Sequence, residues 1–294
     1  MSEYVELYKE RNFGEKINTT FEIIRSNFLP LIKVALAIGI PLGLIYAVIT
    51  GQMMASFSDF IDTNNPNSGS LENGFAGIMV IYFIVIIVLI LGFSLLYASF
   101  FAYLREKNTN PDEIVSIGRV FSTALRKLPG IIIISIISGI ATLFGSVFFI
   151  IPGIYLFVVF SLSSCVLVFE DEGIGNALSA PFKLIKGKWW STFGVIIVGG
   201  FIASGVTMVF AIPSYVMMFT EMFANIESED FNPASLYRSS TGVSGTFMNA
   251  ISSIGMFLSY MVPAIALAMQ YGNLKERLEG KGLKDQIEEF ETIE

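Results

Sequence analysis

The sequence predicts an all-α integral membrane protein: six transmembrane helices in three units of the same orientation, each an amphipathic cytoplasmic helix followed by a transmembrane hairpin. Three observations predict it. Hydrophobic residues make up 53% of the 294 residues and charged residues only 15%, with a mean hydropathy of +0.67; an ordinary soluble domain is about a quarter charged. The apolar residues gather into runs long enough to cross a hydrocarbon core of roughly 30 Å, which takes about 20 residues of helix. The basic residues, finally, collect in alternate connections between those runs, the bias that orients membrane helices.

The first 27 residues are mixed in charge and end in EKINTTFEIIRSNF. Ile17, Phe21, Ile24 and Phe28 fall at spacings of four, three and four, which is one face of a helix. Span one follows at about 28–50, FLPLIKVALAIGIPLGLIYAVIT. The segment before it is too long, and the apolar run too extended, for a cleaved signal peptide, so the run is expected to be retained as a span. Residues 51–74 include DFIDTNNPNSGSLENG, a polar, turn-rich loop without the ordered spacing of a calcium loop. Span two lies at about 75–104 and is long enough to tilt.

In the next connection Ile114, Ile117, Val120, Phe121, Ala124, Leu125 and Leu128 mark a second apolar face. Span three, about 130–150, is rich in β-branched residues, but its unbroken apolarity and length favour a membrane helix over a strand. Ile151-Pro152-Gly153 reads as a break, and span four runs over about 152–169. EDEGIGNALSAPFKLIKGKWW then forms a third amphipathic linker, in which Glu170, Asp171 and Glu172 read as a solvated turn placing negative charge at a helix start. Spans five and six fall at about 191–219 and 246–271, interrupted at Pro213 and Pro263, with a second polar loop between them. The membrane domain thus covers about 1–272, with units at about 14–104, 112–169 and 173–272, and a charged tail at about 273–294.

Orientation follows from the lysines and arginines. Seventeen of the 18 fall on one side of this layout, and only Arg238 on the other, where Asp59, Asp62, Glu72, Glu221, Glu227, Glu229 and Asp230 lie. Both termini are therefore expected in the cytoplasm. The repeat is visible directly: Phe21-Glu22-Ile23-Ile24-Arg25-Ser26-Asn27-Phe28 aligns with Phe182-Lys183-Leu184-Ile185-Lys186-Gly187-Lys188-Trp189, and Ala124-Leu125-Arg126-Lys127-Leu128 is a shorter version.

The composition also narrows the chemistry. With 0 histidines there is no imidazole base or metal ligand, and with one cysteine, Cys165 in an apolar run, no intrachain disulfide. No Asp or Glu lies deep in a span, against a carrier built on a buried carboxylate. No catalytic, cofactor-binding or metal-binding residues are expected, no cofactor, and no nucleic-acid partner.

The stretch PGIYLFVVFSLSSCVLVFEDEGIGNALSAPFKLIKGKWWSTFG, from Pro152 to Gly194, resembles the membrane domain found beside some glycerophosphoryl diester phosphodiesterases, and related stand-alone YciC-like inner-membrane proteins of bacteria. The resemblance rests on the Pro-Gly-Ile-Tyr entry, the acidic-Gly turn, the Ala-Leu helix and the basic run into Trp-Trp-x-Thr-Phe-Gly. It implies a bacterial plasma-membrane location and no catalytic residue, because the phosphodiesterase chemistry of such fusions belongs to a separate soluble barrel with histidines. Pro181 departs from the pattern and predicts a late start or a kink in that helix.

The candidate contact residues are interfacial. Arg25, Arg126, Lys127, Lys183, Lys186 and Lys188 stand beside apolar faces at membrane entries, and Lys33 lies about one turn inside span one, within snorkelling reach. Trp189 and Trp190 suit the aromatic belt. Gly39-x-Pro41-x-Gly43, Gly200 with Ser204, and Ser135 with Gly139 read as close-packing pairs. Pro41, Pro213 and Pro263 are alternatively positions where broken helices line a cavity, with Asn249 and Gln270 as its polar candidates. The expected partners are the lipid bilayer and other membrane proteins. The expected role is a non-catalytic scaffold or accessory subunit of a membrane complex, with a transporter or lipid-moving protein as the alternative.

Overall fold

The structure, a computed structural model, describes residues 6–61, 71–111, 113–226, 237 and 242–280. Arg238, Asp62, Glu227, Glu229, Asp230 and the tail from Lys281 onward lie outside these residues, so the charge count of the outer loops and tail is not addressed there. All regular structure among the described residues is helical: α1 (Phe13–Ser26), α2 (Phe28–Ile61), α3 (Leu71–Thr109), α4 (Ile117–Phe148), α5 (Ile150–Phe160), α6 (Ser163–Phe169), α7 (Ile174–Leu184), α8 (Trp189–Ile226), α9 (Val243–Ser259) and α10 (Met261–Glu279). Six segments are long and apolar enough to cross a membrane: Phe28–Ile61, Phe75–Thr109, Ile117–Val147, Ile150–Phe169, Trp189–Ala224 and Val243–Glu279.

Local chemistry sets the boundaries. Asn12 caps α1, its Oδ1 accepting from the Glu15 N–H at 2.9 Å while the Glu15 carboxylate accepts from the Asn12 N–H at 2.8 Å, so two orphan donors are met reciprocally. Asn27 alone separates α1 from α2, and a turn with Gly187 at φ +75° leads from α7 into α8. Span helices thus begin at the two aligned aromatics, Phe28 and Trp189.

Several sequence boundaries shift. The expected linker helix before span three is not separate: α4 runs from Ile117 straight through Pro129 into the span. Val120 and Ala124 of its predicted apolar face are buried, but Ile114 and Leu125 are exposed. α7 neither starts late nor ends at Pro181; it begins at Ile174 and passes through a buried Pro181 to Leu184. The break after span three falls at Phe149, in extended conformation, and Pro152 sits inside the first turn of α5, where a missing N–H costs nothing. The last span breaks at Tyr260, so Pro263 likewise occupies the first turn of α10. Pro41 and Pro213 stay within continuous helices.

By its internal contacts the chain divides into two compact units, one of Met1–Ala35, Ser94–Ala203 and Tyr260–Glu294, the other of Leu36–Phe93 and Ser204–Ser259. The second centres on Phe257, which is fully buried. Glycines admit it: a Cβ on Gly92 would meet the Phe257 ring at 2.7 Å, and one on Gly43 would meet Ile254 at 2.7 Å. Phe93 and Tyr46 pack their rings against Phe257 at 5.5 and 6.5 Å. Gly39 and Gly43 therefore do pack closely, whereas Gly139 and Gly200 have no neighbour within 4 Å of an added Cβ.

The first unit is built around α10. From Ala264 to Lys275 every residue of this helix is buried, although Gln270, Asn273 and Lys275 are polar. The N-terminal segment crosses it so closely that a Cβ on Gly272 would meet the Leu7 carbonyl oxygen at 2.1 Å. α4 and α5 meet with similar intimacy, since a Cβ on Gly153 would fall 1.9 Å from Ser146 Oγ and 2.8 Å from its backbone N. Gly153→Ala is expected to force this hairpin apart and cost about 1–3 kcal/mol, lowering the thermal unfolding temperature in detergent. Gly139→Ala, which adds a methyl to open space, is expected to leave that temperature unchanged or slightly raised.

Candidate functional site

α1 presents three different faces. Lys16, Thr20, Ile23 and Asn27 point inward and are buried. Phe21 and Phe28 of the predicted apolar face are exposed, at 45% and 53%, as is Phe13 at 42%, while Ile17 and Ile24 are half-buried, so that face is only partly covered by protein. A third face, with Glu15, Asn18, Thr19, Glu22 and Ser26, lines an open groove shared with Glu6, Lys9, Glu10 and Arg11 of the preceding segment. A helix docked mainly through polar side chains, with its aromatics outward, is the reverse of a soluble amphipathic helix.

The inward face makes the first polar cluster. Lys16 is 3% exposed, and its Nζ donates to Ser191 Oγ and Gln270 Oε1, each at 2.7 Å. Gln270 Nε2 donates to Thr192 Oγ1 at 2.8 Å, and Thr192 Oγ1 donates in turn to the Lys188 carbonyl at 3.2 Å. Three segments, α1, the start of α8 and α10, are joined through these side chains. No carboxylate enters this cluster. Burial, reinforced by the charge of Lys188, draws the Lys16 pKa down from 10.5 to about 8. Nearby, Asn27 Oδ1 accepts from Tyr103 Oη at 2.8 Å, fixing the α1–α2 corner.

The second cluster surrounds the acidic turn. Tyr271 Oη donates to Glu170 Oε1 at 2.8 Å and Lys275 Nζ to Glu170 Oε2 at 2.7 Å. Phe169 stacks on Tyr271 with centroids 5.3 Å apart. Asp171, in the left-handed region at φ 59° that Asp tolerates better than most residues, pairs with Lys127 and, at 3.6 Å, with Arg105. The hydrogen bond from Lys127 holds the Asp171 carboxyl below its ordinary range. Glu172, which accepts from Asn176 at the start of α7, and Asp171 are both exposed, as the sequence suggests. Glu170, 14% exposed, is instead a covered fastener, and Asp171 is a solvated carboxylate that also pairs with Lys127 and Arg105.

The predicted contact residues distribute unevenly. Arg25, Lys33, Arg126, Lys183, Lys186 and Lys188 are exposed, while Lys127 is engaged by Asp171. The tryptophans separate: Trp190 is 77% exposed, and Trp189 packs between Phe193 and Tyr155, stacked at 5.2 and 6.3 Å, over the buried Val158, Val159 and Ile185. The prolines are not brought together within one unit, Pro263 belonging to the first and Pro41 and Pro213 to the second. Of the two polar candidates, Gln270 lies in the Lys16 cluster. Lys16, Ser191 and Thr192 were not singled out from sequence; the signal available was a lysine one turn before Thr20 on the face opposite the aromatics.

No protein-family model, no curated protein and no solved structure matches this chain.

Two outcomes test the clusters. Because the folded state holds the Lys16 proton less tightly than the unfolded chain, the unfolded state binds more protons between about pH 8 and 10.5, and stability contributed through Lys16 rises with pH over that window. Chemical denaturation followed at pH 7, 8, 9 and 10 is expected to show a flatter rise for Lys16→Met than for the parent. Glu170→Gln, which leaves Lys275 with only the more exposed Glu279, is expected to cost roughly 1.5–3 kcal/mol, whereas Glu172→Gln costs under about 0.5 kcal/mol.

Proposed function

We propose that this chain is a multi-pass protein of the bacterial plasma membrane, with both termini cytoplasmic and three same-orientation units, acting as a non-catalytic scaffold or accessory subunit of a membrane complex. The observation that carries the role is how the buried polar groups of the first unit are used. In two clusters, Lys16 with Gln270 and Thr192, and Glu170 with Tyr271 and Lys275, they fasten the N-terminal segment, the turn after α6 and α8 onto α10. Such a network gives rigidity and a fixed arrangement of helices. The uncovered aromatic face of α1, with Arg25 exposed beside it, supports an in-plane interfacial helix, its apolar side in the acyl boundary and its acidic groove toward water. The resemblance of Pro152–Gly194 to the membrane domain beside glycerophosphoryl diester phosphodiesterases and to YciC-like proteins agrees with this reading.

The alternative, a transporter or lipid-moving protein, has one feature in its favour: the interruption of the last span at Tyr260, since broken helices are how membrane proteins expose backbone groups to a passenger. Mass spectrometry of the protein purified from native membranes in mild detergent separates the two. A stoichiometric protein partner is expected; recovery of a bound lipid or solute with no protein partner would replace the scaffold by the carrier.

A further inference from the structure

The α4–α5 hairpin differs from the other two in its outer connection. The connections at 62–70 and 227–242 are polar in sequence, whereas α4 and α5 are joined through Phe149 alone. Across residues 128–169 the sequence has no charged residue and no Asn, Gln or His. Val147, Phe149, Ile150 and Ile151 are 72%, 73%, 72% and 79% exposed, so the protein covers little of the turn.

The opposite end of the hairpin is charged. Lys127 pairs with Asp171, two residues beyond α6, and Arg105 joins them at 3.6 Å from the carboxylate. Asp171 is solvated, so this tie marks where the hairpin leaves the acyl region. Each arm beyond it has about 20 residues, or ~30 Å of helix, which is roughly the thickness of the hydrocarbon core. The arms are pressed together near the turn, where Gly153 lies on Ser146. The whole hairpin belongs to the first compact unit.

The backbone of the turn narrows its depth further. Phe149 N–H donates to the Gly145 carbonyl at 3.2 Å, and Pro152 has no N–H. Of the first N–H groups of α5, those of Ile150 and Ile151 are then left without a partner in the helix. The acyl core has no acceptor for them, while the headgroup layer has ester oxygens, phosphate oxygens and water. The side chains of the same residues favour acyl chains. Both demands are met together only where acyl chains and headgroups adjoin.

We infer that the α4–α5 turn ends at the outer acyl–headgroup boundary, with outer-leaflet lipid as its partner, and that this hairpin places no segment in the outer water. The inference rests on the membrane reading above, with the Lys127–Asp171 end cytoplasmic, and it is independent of whether a protein partner exists.

The test places single cysteines in the full chain, whose own Cys165 is fully buried and sets the baseline. Phe149→Cys and Ile151→Cys report the turn, Ser68→Cys the first polar loop of the sequence, and Ser179→Cys, exposed on α7, the cytoplasmic side. On intact spheroplasts an impermeant maleimide is expected to label Ser68→Cys, and the two turn variants at least about tenfold more slowly, because a thiol in apolar surroundings forms little thiolate. Ser179→Cys is expected to react only after lysis. Nitroxide labels on the turn variants in reconstituted vesicles are expected about 5–10 Å below the phosphates, relaxed more by oxygen than by a water-soluble nickel chelate. Turn variants that react as fast as Ser68→Cys place the turn in water and overturn the inference. Labels at the bilayer centre, or shielded from both relaxants by another protein, overturn it equally. If Ser68→Cys and Ser179→Cys exchange behaviour, the orientation fails and with it the outer leaflet, while the label depth still decides whether the turn stops at a headgroup boundary.

Discussion

The arrangement of the first unit depends on one constraint: α10 is enclosed from Ala264 to Lys275 and yet is not apolar there. An all-apolar helix can be buried by any greasy neighbour. A buried helix carrying Gln270, Tyr271, Asn273 and Lys275 must be met by groups of the right kind at the right place, because each polar group left unbonded costs about 1–3 kcal/mol. The partners come from separate parts of the chain: Lys16 and the Arg11 carbonyl from the N-terminal region, Thr192 from α8, Glu170 from the turn after α6. That requirement specifies which neighbour goes where. It also explains the glycine at 272, since Asn273 can reach the Arg11 carbonyl only if the N-terminal segment lies directly on the helix backbone.

The two polar clusters solve the problem of buried charge differently. Around Glu170 the charges are matched, Lys275 against a carboxylate that Tyr271 also satisfies, and the phenol stacks on Phe169. Around Lys16 the amine meets neutral oxygens, and burial, reinforced by Lys188, draws its pKa down to about 8.

The number and approximate position of the long apolar helices were legible in the sequence because a span is a one-dimensional signal: some 20 apolar residues in a row need no knowledge of their neighbours. Helix ends were less legible for the same reason. Pro152 and Pro263 mark breaks but occupy the first turns that follow them: the helices part at Phe149 and Tyr260, three residues earlier, because a proline has no N–H to bond four residues back. Of the acidic triplet only Glu170 departs from a solvated turn, because its partners, Tyr271 and Lys275, are 101 and 105 residues away. Nothing in a linear pattern announces such pairings. The close packing of Gly39 and Gly43 was readable from spacing, but at Gly139 and Gly200, with the same spacing, an added Cβ would meet no described atom within 4 Å.

Lys16 illustrates how far pattern reading reaches on α1. Seen alone, the helix has an apolar stripe at Ile17, Phe21, Ile24 and Phe28, and the ordinary rule assigns that stripe to the protein core. In a membrane the rule loses its force, because lipid is as good a solvent for phenylalanine as a protein interior, so apolar burial gives little preference for docking one face over another. Polar groups do discriminate, since the acyl region offers them no partner. The face with Lys16, Thr20 and Asn27 therefore turns inward, where Ser191, Gln270 and Tyr103 receive it, and the aromatics are left to the surroundings. On α1 the stripe that meets the protein is the one with hydrogen-bonding groups at helical spacing.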